Sequence, residues 1–296
     1  MNTRITPLRY PGGKQKLTPF VKEIIEKNSL EKCAYFEPYA GGAGVAVSLL
    51  VNGIVEKIYI NDISVPVYAF WYSIINNTEN FIKKVRDIPL TINEWENQHI
   101  ILRNEDKSDL FSLGFSMFYM NRCNRSGILN AGVIGGKSQE GRWKINARFN
   151  RADLIQRISC IASFKDKIQL SNKDALTFLK SISSEQKKIV YLDPPYYHKA
   201  DKLYDNYYHF KDHKEIANFL TTDATFSWIT SYDDTPEIES LYQSNKSFTY
   251  SLQYNAAKAY KGKEIFIFSP DLNIPESSSI GFINTGLKRR DQLNAS

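Results

Sequence analysis

Residues Val190-Tyr191-Leu192-Asp193-Pro194-Pro195-Tyr196-Tyr197 run an apolar segment into a carboxylate, two prolines and an aromatic ring. Neither proline has an N–H to give a sheet ladder, and each confines the residue before it to extended backbone, so Asp193 is predicted to stand at a strand end. The Asp193 carboxylate and the Pro194 carbonyl can then face one way, two acceptors for the two hydrogens of a single exocyclic amino group. Pro195 fixes the turn that brings in Tyr196, a flat face beside the acceptors. The chemistry this pattern can do is transfer of a group to an amine nitrogen. Positioning and charge would drive it, with no metal and no cysteine nucleophile required.

A second constellation is Phe36-Glu37-Pro38-Tyr39-Ala40-Gly41-Gly42-Ala43-Gly44-Val45, a glycine turn between an apolar run and a helical one. Asp62 follows Gly42 by 20 residues, the spacing at which an acid meets a ribose hydroxyl in nucleotide-binding βαβ units. An adenosine-containing cofactor is therefore expected. A dinucleotide fits less well, because Val47 stands where a third glycine belongs. A third turn, Leu8-Arg9-Tyr10-Pro11-Gly12-Gly13-Lys14, ends in a lysine able to hold a carboxylate. It is not a phosphate loop, since Leu8 replaces the first glycine and Gln15 the magnesium-binding hydroxyl.

These groups need a scaffold. Short apolar and β-branched runs at 34–37, 57–62, 168–171, 188–193, 225–231, 248–254 and 264–269 alternate with helical periods near 16–26, 43–51, 151–164, 175–181 and 212–220. That alternation predicts an α/β fold with a mainly parallel, Rossmann-like sheet. Glu37, Asp62 and Asp193 close three of the strands and would ring the crevice at their carboxyl ends. Residues 66–150 break the rhythm with helical, aromatic-rich sequence, including Trp71, Trp95, Phe115, Phe118 and Tyr119, most of which should be core. The expected organisation is a discontinuous catalytic domain, 1–65 and 151–272, an inserted and mainly helical module at 66–150, and a tail at 273–296 that could fray.

The chain has 296 residues and a net charge of +6, and its basic surplus is local. Between Phe118 and Arg151, the bases Arg122, Arg125, Lys137, Arg142, Lys144, Arg148 and Arg151 face the single acid Glu140 among several glycines. Such a segment suits a polyanion partner. Arg122, Arg125 and Asn124 match base-edge reading in a major groove, whereas Lys137 and Arg142 suit phosphates. Cys33, Cys123 and Cys160 fit neither a disulfide framework nor a zinc site, and the four histidines lack metal-ligand spacing. No apolar run reaches the roughly 20 residues of a membrane span and no signal-peptide core follows Met1, so a cytoplasmic protein is expected.

Taken together and in order, Tyr10-Pro11-Gly12-Gly13-Lys14, Glu37-Pro38-Tyr39 with its glycines, Asn61-Asp62 and Asp193-Pro194-Pro195-Tyr196 resemble the alpha-group, Dam-type N6-adenine DNA methyltransferases. The resemblance implies S-adenosylmethionine as cofactor and a target-recognition domain inserted after the second strand. It implies Tyr10 and Lys14 near the methionine end, Glu37, Tyr39 and Gly41 lining the cofactor pocket, Asp62 on the ribose and Asp174 at the adenine ring. Asp193 would serve cofactor and catalysis together, with Pro194, Pro195 and Tyr196. Arg9 and Asn121 join Arg122, Asn124, Arg125, Lys137 and Arg142 in the implied DNA-binding set. The partner would be double-stranded DNA, met by a monomer or a dimer. A base inside a duplex cannot reach such a pocket, so the target would be flipped out, with Tyr196 recovering stacking. The stretch 204–208 could form a lid. The loop 119–128 differs from that of members that methylate GATC, so no recognition sequence carries over. Cytosine-N4 or RNA methylation, a non-catalytic DNA-binding module and a nucleotide-dependent oxidoreductase are the competing readings.

Overall fold

The strand-forming runs become one seven-stranded sheet in a computed structural model, which describes residues 5–9, 14–183, 187–197, 208–255 and 259–275. In chain order the strands are β1 (Ala34–Glu37), β2 (Lys57–Asn61), β3 (Ile168–Ser171), β4 (Lys188–Leu192), β5 (Ser227–Asp233), β6 (Ser247–Asn255) and β7 (Ala259–Phe268). Their spatial order is β3-β2-β1-β4-β5-β7-β6. The first five run parallel, and β7 pairs antiparallel with both β5 and β6. All five residues of β4 are buried, as a central parallel strand covered on both faces requires. Strand order reverses between β1 and β4. At this switch point the helices that follow adjacent strands leave to opposite sides and open a crevice.

Two strands differ from the sequence reading by two residues or more. The segment expected at 225–231 forms a strand two residues later, which brings Asp233 to the carboxyl edge. The strand expected from 264 begins at Ala259. Its polar start, Ala259-Tyr260-Lys261-Gly262-Lys263, lacks apolar alternation and is held as strand by pairing with β6. Glu264 consequently lies mid-strand.

The helices on the first face are α1 (Thr18–Lys27), led in by a 3-10 turn at Lys14–Leu17 and with a proline in its first turn, and α2 (Gly44–Val51). Between β2 and β3 come α3 (Val65–Asn76), α4 (Thr78–Asp87), α5 (Ile92–Asn104) and α6 (Leu110–Cys123), then a looped stretch, then α7 (Arg151–Ala162). One apolar cluster joins Tyr35, Ile58, Ile189 and Tyr191 of the sheet to Phe20 of α1 and to Phe70, Phe81, Phe115 and Phe118 of the insertion. The aromatics of the insertion are thus largely core, with Phe70 and Phe118 stacked at 5.9 Å between centroids. Helices α3 and α6 approach closely at Gly114. A Cβ there would lie 2.3 Å from the Ala69 carbonyl oxygen.

The second face carries α8 (Ala175–Lys180), α9 (Phe210–Thr222) and α10 (Pro236–Leu241), packed on Phe36, Val190, Leu192 and Trp228. Helix α10 has six residues, too short to show a period in the sequence. The end of the described chain is tied to α1, with Asn273 N–H donating to Asn28 Oδ1 at 2.8 Å and Lys27 Nζ to the Ile274 carbonyl at 3.1 Å. The remainder of the expected tail, 276–296, lies outside the described residues. Among the described residues no helix is long and apolar enough to cross a membrane.

Candidate active site

Asp193 leaves β4 at the switch point with its side chain 28% exposed. Ser231 of β5 donates its hydroxyl to Asp193 Oδ1 at 2.9 Å and lies 2.9 Å from the Tyr191 hydroxyl behind it. Lys14 Nζ reaches the same oxygen at 3.3 Å. Both contacts fall on Oδ1, and among the described residues none falls on Oδ2. Burial raises the Asp193 pKa and Glu264 adds to the shift, while Lys14 and Ser231 work the other way. The neighbouring ammonium is under the opposite pull. Burial alone would lower the Lys14 pKa, but Asp193 and Glu264, with Tyr250 and Tyr196 beside them, hold it well above the ordinary value.

Tyr196 is turned inward. Its hydroxyl donates to Glu264 Oε1 at 2.6 Å, Lys14 Nζ lies 5.5 Å from its ring centroid, and the residue is only 7% exposed. The open flat face expected beside Asp193 is therefore largely covered, because the buried carboxylate of β7 draws the phenol into the fold. Glu264, Ser231 and Tyr250 were not singled out in the sequence. Tyr197, the next residue, donates its backbone N–H to Asp233 Oδ1 at 3.0 Å, which anchors the far side of the proline turn.

Along the β1–β2 edge, Gly41 takes a positive φ of 45° and gives its N–H to Asp62 Oδ2 at 2.8 Å, while Ser64 N–H binds Oδ1 at 2.9 Å. Burial raises the Asp62 pKa to about 6 against these two donors. The carbonyl of Gly41 accepts from the Trp71 indole at 2.9 Å, which ties the glycine turn to α3. Asn61 braces the turn by donating to the Pro38 and Lys173 carbonyls at 3.0 and 2.9 Å. Asp174 caps α8, accepting from Leu176 and Thr177 N–H through Oδ1 at 3.0 and 3.2 Å. Tyr39 donates its hydroxyl to Tyr208 at 3.0 Å. Tyr10, and residues 204–207 of the expected lid, lie outside the described residues.

Glu37 is buried, with Oε1 accepting from the Tyr35 hydroxyl and the Ala46 N–H, both at 3.0 Å. Burial lifts its pKa from 4.5 to about 8, so it is neutral at pH 7. The fold holds this proton up to about pH 8 while the unfolded chain releases it near 4.5, and stability attributable to Glu37 falls as pH rises through that window. Glu37→Gln is expected to flatten the decline of melting temperature between about pH 5 and 8, measured by thermal unfolding across pH. An equally steep decline in the variant would contradict the assignment.

An amine-acceptor motif, a braced glycine turn and a ribose-spaced acid therefore share one carboxyl edge. The sequence profile of the D12 class N6 adenine-specific DNA methyltransferase family matches residues 10–257, from the N-terminal glycine turn to the last strand pair. The chain belongs to that family. It is an adenine-specific DNA methyltransferase. No curated protein matches the chain.

The expected DNA-contact residues of the methyltransferase divide into two groups. Asn121, Arg122 and Asn124 are buried and spend their polar atoms inside the protein. Asn121 brackets the backbone of Arg9, accepting from its N–H at 2.7 Å and donating to its carbonyl at 2.9 Å. Asn124 accepts from the Trp95 indole at 2.7 Å and donates to the Leu129 carbonyl at 2.7 Å. Arg122, 8% exposed, donates to the Pro7 and Arg148 carbonyls, and burial next to Arg9 lowers its pKa to about 9. Arg9 itself donates to the Asn124 carbonyl at 3.0 Å. In this structure these residues clamp the N-terminal segment to α6, with their polar groups engaged inside the protein.

Arg125, Lys137 and Arg142 are exposed. Lys137 pairs with Glu96 at 2.9 Å, a surface contact that a phosphate could replace. Beside Arg142 stands Trp143, 60% exposed, with the guanidinium carbon 5.3 Å from its ring centroid. The loop that presents this pair is built around Gln139, whose amide donates to the Ile134 carbonyl at 2.8 Å and accepts from Ile145 N–H at 2.8 Å. Trp143 thus stands exposed among basic residues, and the basic run around it was the clue available in the sequence.

Proposed function

We propose that this enzyme methylates N6 of an adenine flipped out of double-stranded DNA, with S-adenosylmethionine held along the β1–β2–β4 edge. That donor supplies an electrophilic methyl group on a cationic sulfur. The residues fit such a ligand: the glycine turn removes side chains from its path, Asp62 keeps carboxylate lone pairs beyond its two backbone bonds, and the Asp62 carboxylate suits a cation. Lys14 and Tyr10 are assigned to the methionine end, Glu37, Tyr39 and Gly41 to the pocket wall, and Asp174 to the adenine ring of the donor.

The observation that carries the mechanism is Asp193, fixed through Oδ1 by Ser231 and Lys14 with Oδ2 untouched among the described residues. Adenine's amino lone pair is delocalised into the ring, which makes the nitrogen a poor nucleophile. Asp193 Oδ2 and the Pro194 carbonyl accept its two N–H bonds and favour a pyramidal nitrogen with its lone pair free. A charge-assisted bond to Asp193 strengthens as positive charge grows on that nitrogen, so the carboxylate favours the transition state over the ground state. Tyr196, anchored through its hydroxyl, borders the base.

Incubation of the protein with methyl-labelled S-adenosylmethionine and, in parallel, unmethylated duplex DNA or RNA, followed by nucleoside chromatography, tests the reading. Label in N6-methyladenine is expected, whereas label in N4-methylcytosine would overturn the substrate and label on RNA alone the partner. On the DNA side, Trp143→Ala is expected to weaken duplex binding about 10-fold, in line with aromatic–base stacking worth roughly 1–3 kcal/mol. Arg125→Ala should weaken cognate DNA more than random DNA. Equal weakening with a shallower salt dependence would reassign Arg125 to phosphate.

A further inference from the structure

Strand β7 adds a carboxylate that none of the recognised motifs contains. Glu264 is 1% exposed, takes the Lys14 ammonium on Oε2 at 2.5 Å together with the Tyr250 hydroxyl, and takes the Tyr196 hydroxyl on Oε1 at 2.6 Å. A buried carboxylate is costly unless it is paired, and this one has three donors. Two acids thus share a single ammonium unequally, since Lys14 Nζ stands 2.5 Å from Glu264 and 3.3 Å from Asp193. Were Glu264 uncharged, Coulomb attraction would bring Lys14 fully onto Asp193, and an ion-paired carboxylate is a poorer acceptor for an amine N–H.

We propose that Glu264 is a positioning residue for methyl transfer, drawing Lys14 partly away from Asp193 and holding Tyr196 in place so that Asp193 keeps more of its acceptor strength for the target amine. The inference rests on the reading of Asp193 as the amine acceptor. Among the described residues the charged and titratable groups that face the pair are Lys14 from the N-terminal turn, Tyr191 of β4 and Tyr196 after it, Tyr250 of β6, and Glu37 of β1, whose charge state also bears on Asp193.

Glu264→Gln keeps the shape and an oxygen for Tyr196 and removes the charge. Its kcat is expected to fall on the order of 30-fold with KM for DNA within about 2-fold, the pattern of an interaction made in the transition state. The acid limb of kcat/KM against pH should move to lower pH, because losing one negative neighbour and gaining a closer ammonium both favour ionised Asp193. Glu264→Asp keeps the charge and should keep the wild-type acid limb even where its shorter reach lowers kcat. A drop in kcat with an unmoved acid limb in Glu264→Gln would overturn the proposal, as would unchanged kcat. If the glutamine variant does not fold, an acid limb displaced to lower pH in Glu264→Asp overturns it equally. Failure of the underlying reading looks different, because Asp193→Asn would then retain turnover while wild type shows the same pH profile.

Discussion

Asp193→Asn is expected to lower methyl transfer on the order of 10³-fold, the scale seen when one preorganised polar group aimed at developing charge is removed. The side chain keeps its size and the Ser231 hydroxyl can still donate to its carbonyl oxygen, so the local fold is conserved. What disappears is the anion. The amide presents N–H groups where an acceptor is needed, and among the described residues Lys14 retains Glu264 as its carboxylate partner. Single-turnover kinetics with saturating DNA isolates the effect, and equilibrium binding of DNA should change by less than about 3-fold, since the interaction belongs to the transition state. Wild-type turnover in this variant would remove Asp193 from the chemistry.

The largest expected loss of stability comes from Gly114→Val. Even one Cβ at this position would sit 2.3 Å from the Ala69 carbonyl oxygen and 2.6 Å from the Phe70 nitrogen. Both neighbours are helix backbone, so neither can rotate away. Helices α3 and α6 must separate, which opens the aromatic cluster of Phe70, Phe81, Phe115 and Phe118. Overpacking of this kind costs about 3 kcal/mol or more, read as a fall in melting temperature of about 6 °C or more for a chain of this size. A valine variant as stable as wild type would mean that the two helices are not packed as described.

The strand end at Asp193 was legible because proline chemistry is local. Two residues without a usable N–H stop β4 whatever the rest of the chain does, and Asp193 is found where that rule puts it. The glycine turn and Asp62 were legible for a similar reason, as their spacing spans one βαβ unit, and the structure joins them through a Gly41–Asp62 hydrogen bond. Glu264 was invisible. Its partner Lys14 is 250 positions away, and a single acid in the run Glu264-Ile265-Phe266-Ile267-Phe268 shows no more than a strand beginning. The insertion shows the same physical limit. Asn121, Arg122 and Asn124 have the donors that read bases, but contacts with residues 7–9, more than 100 positions earlier, turn them inward. Residue type states what a side chain can bond, and only the tertiary fold decides with whom.

Strand β7 lies between β5 and β6 although it is made after both. Synthesis delivers the acceptor motif, the glycine turn and the whole insertion while the sheet still lacks the strand that joins its outer edge to its centre. A growing chain that has passed Tyr196 carries the motif without its buried carboxylate, and β6 has no neighbour until residue 259 has been added. If Glu264 positions the centre as proposed, a truncated or nascent chain would hold the methyltransferase signature without the carboxylate that completes it.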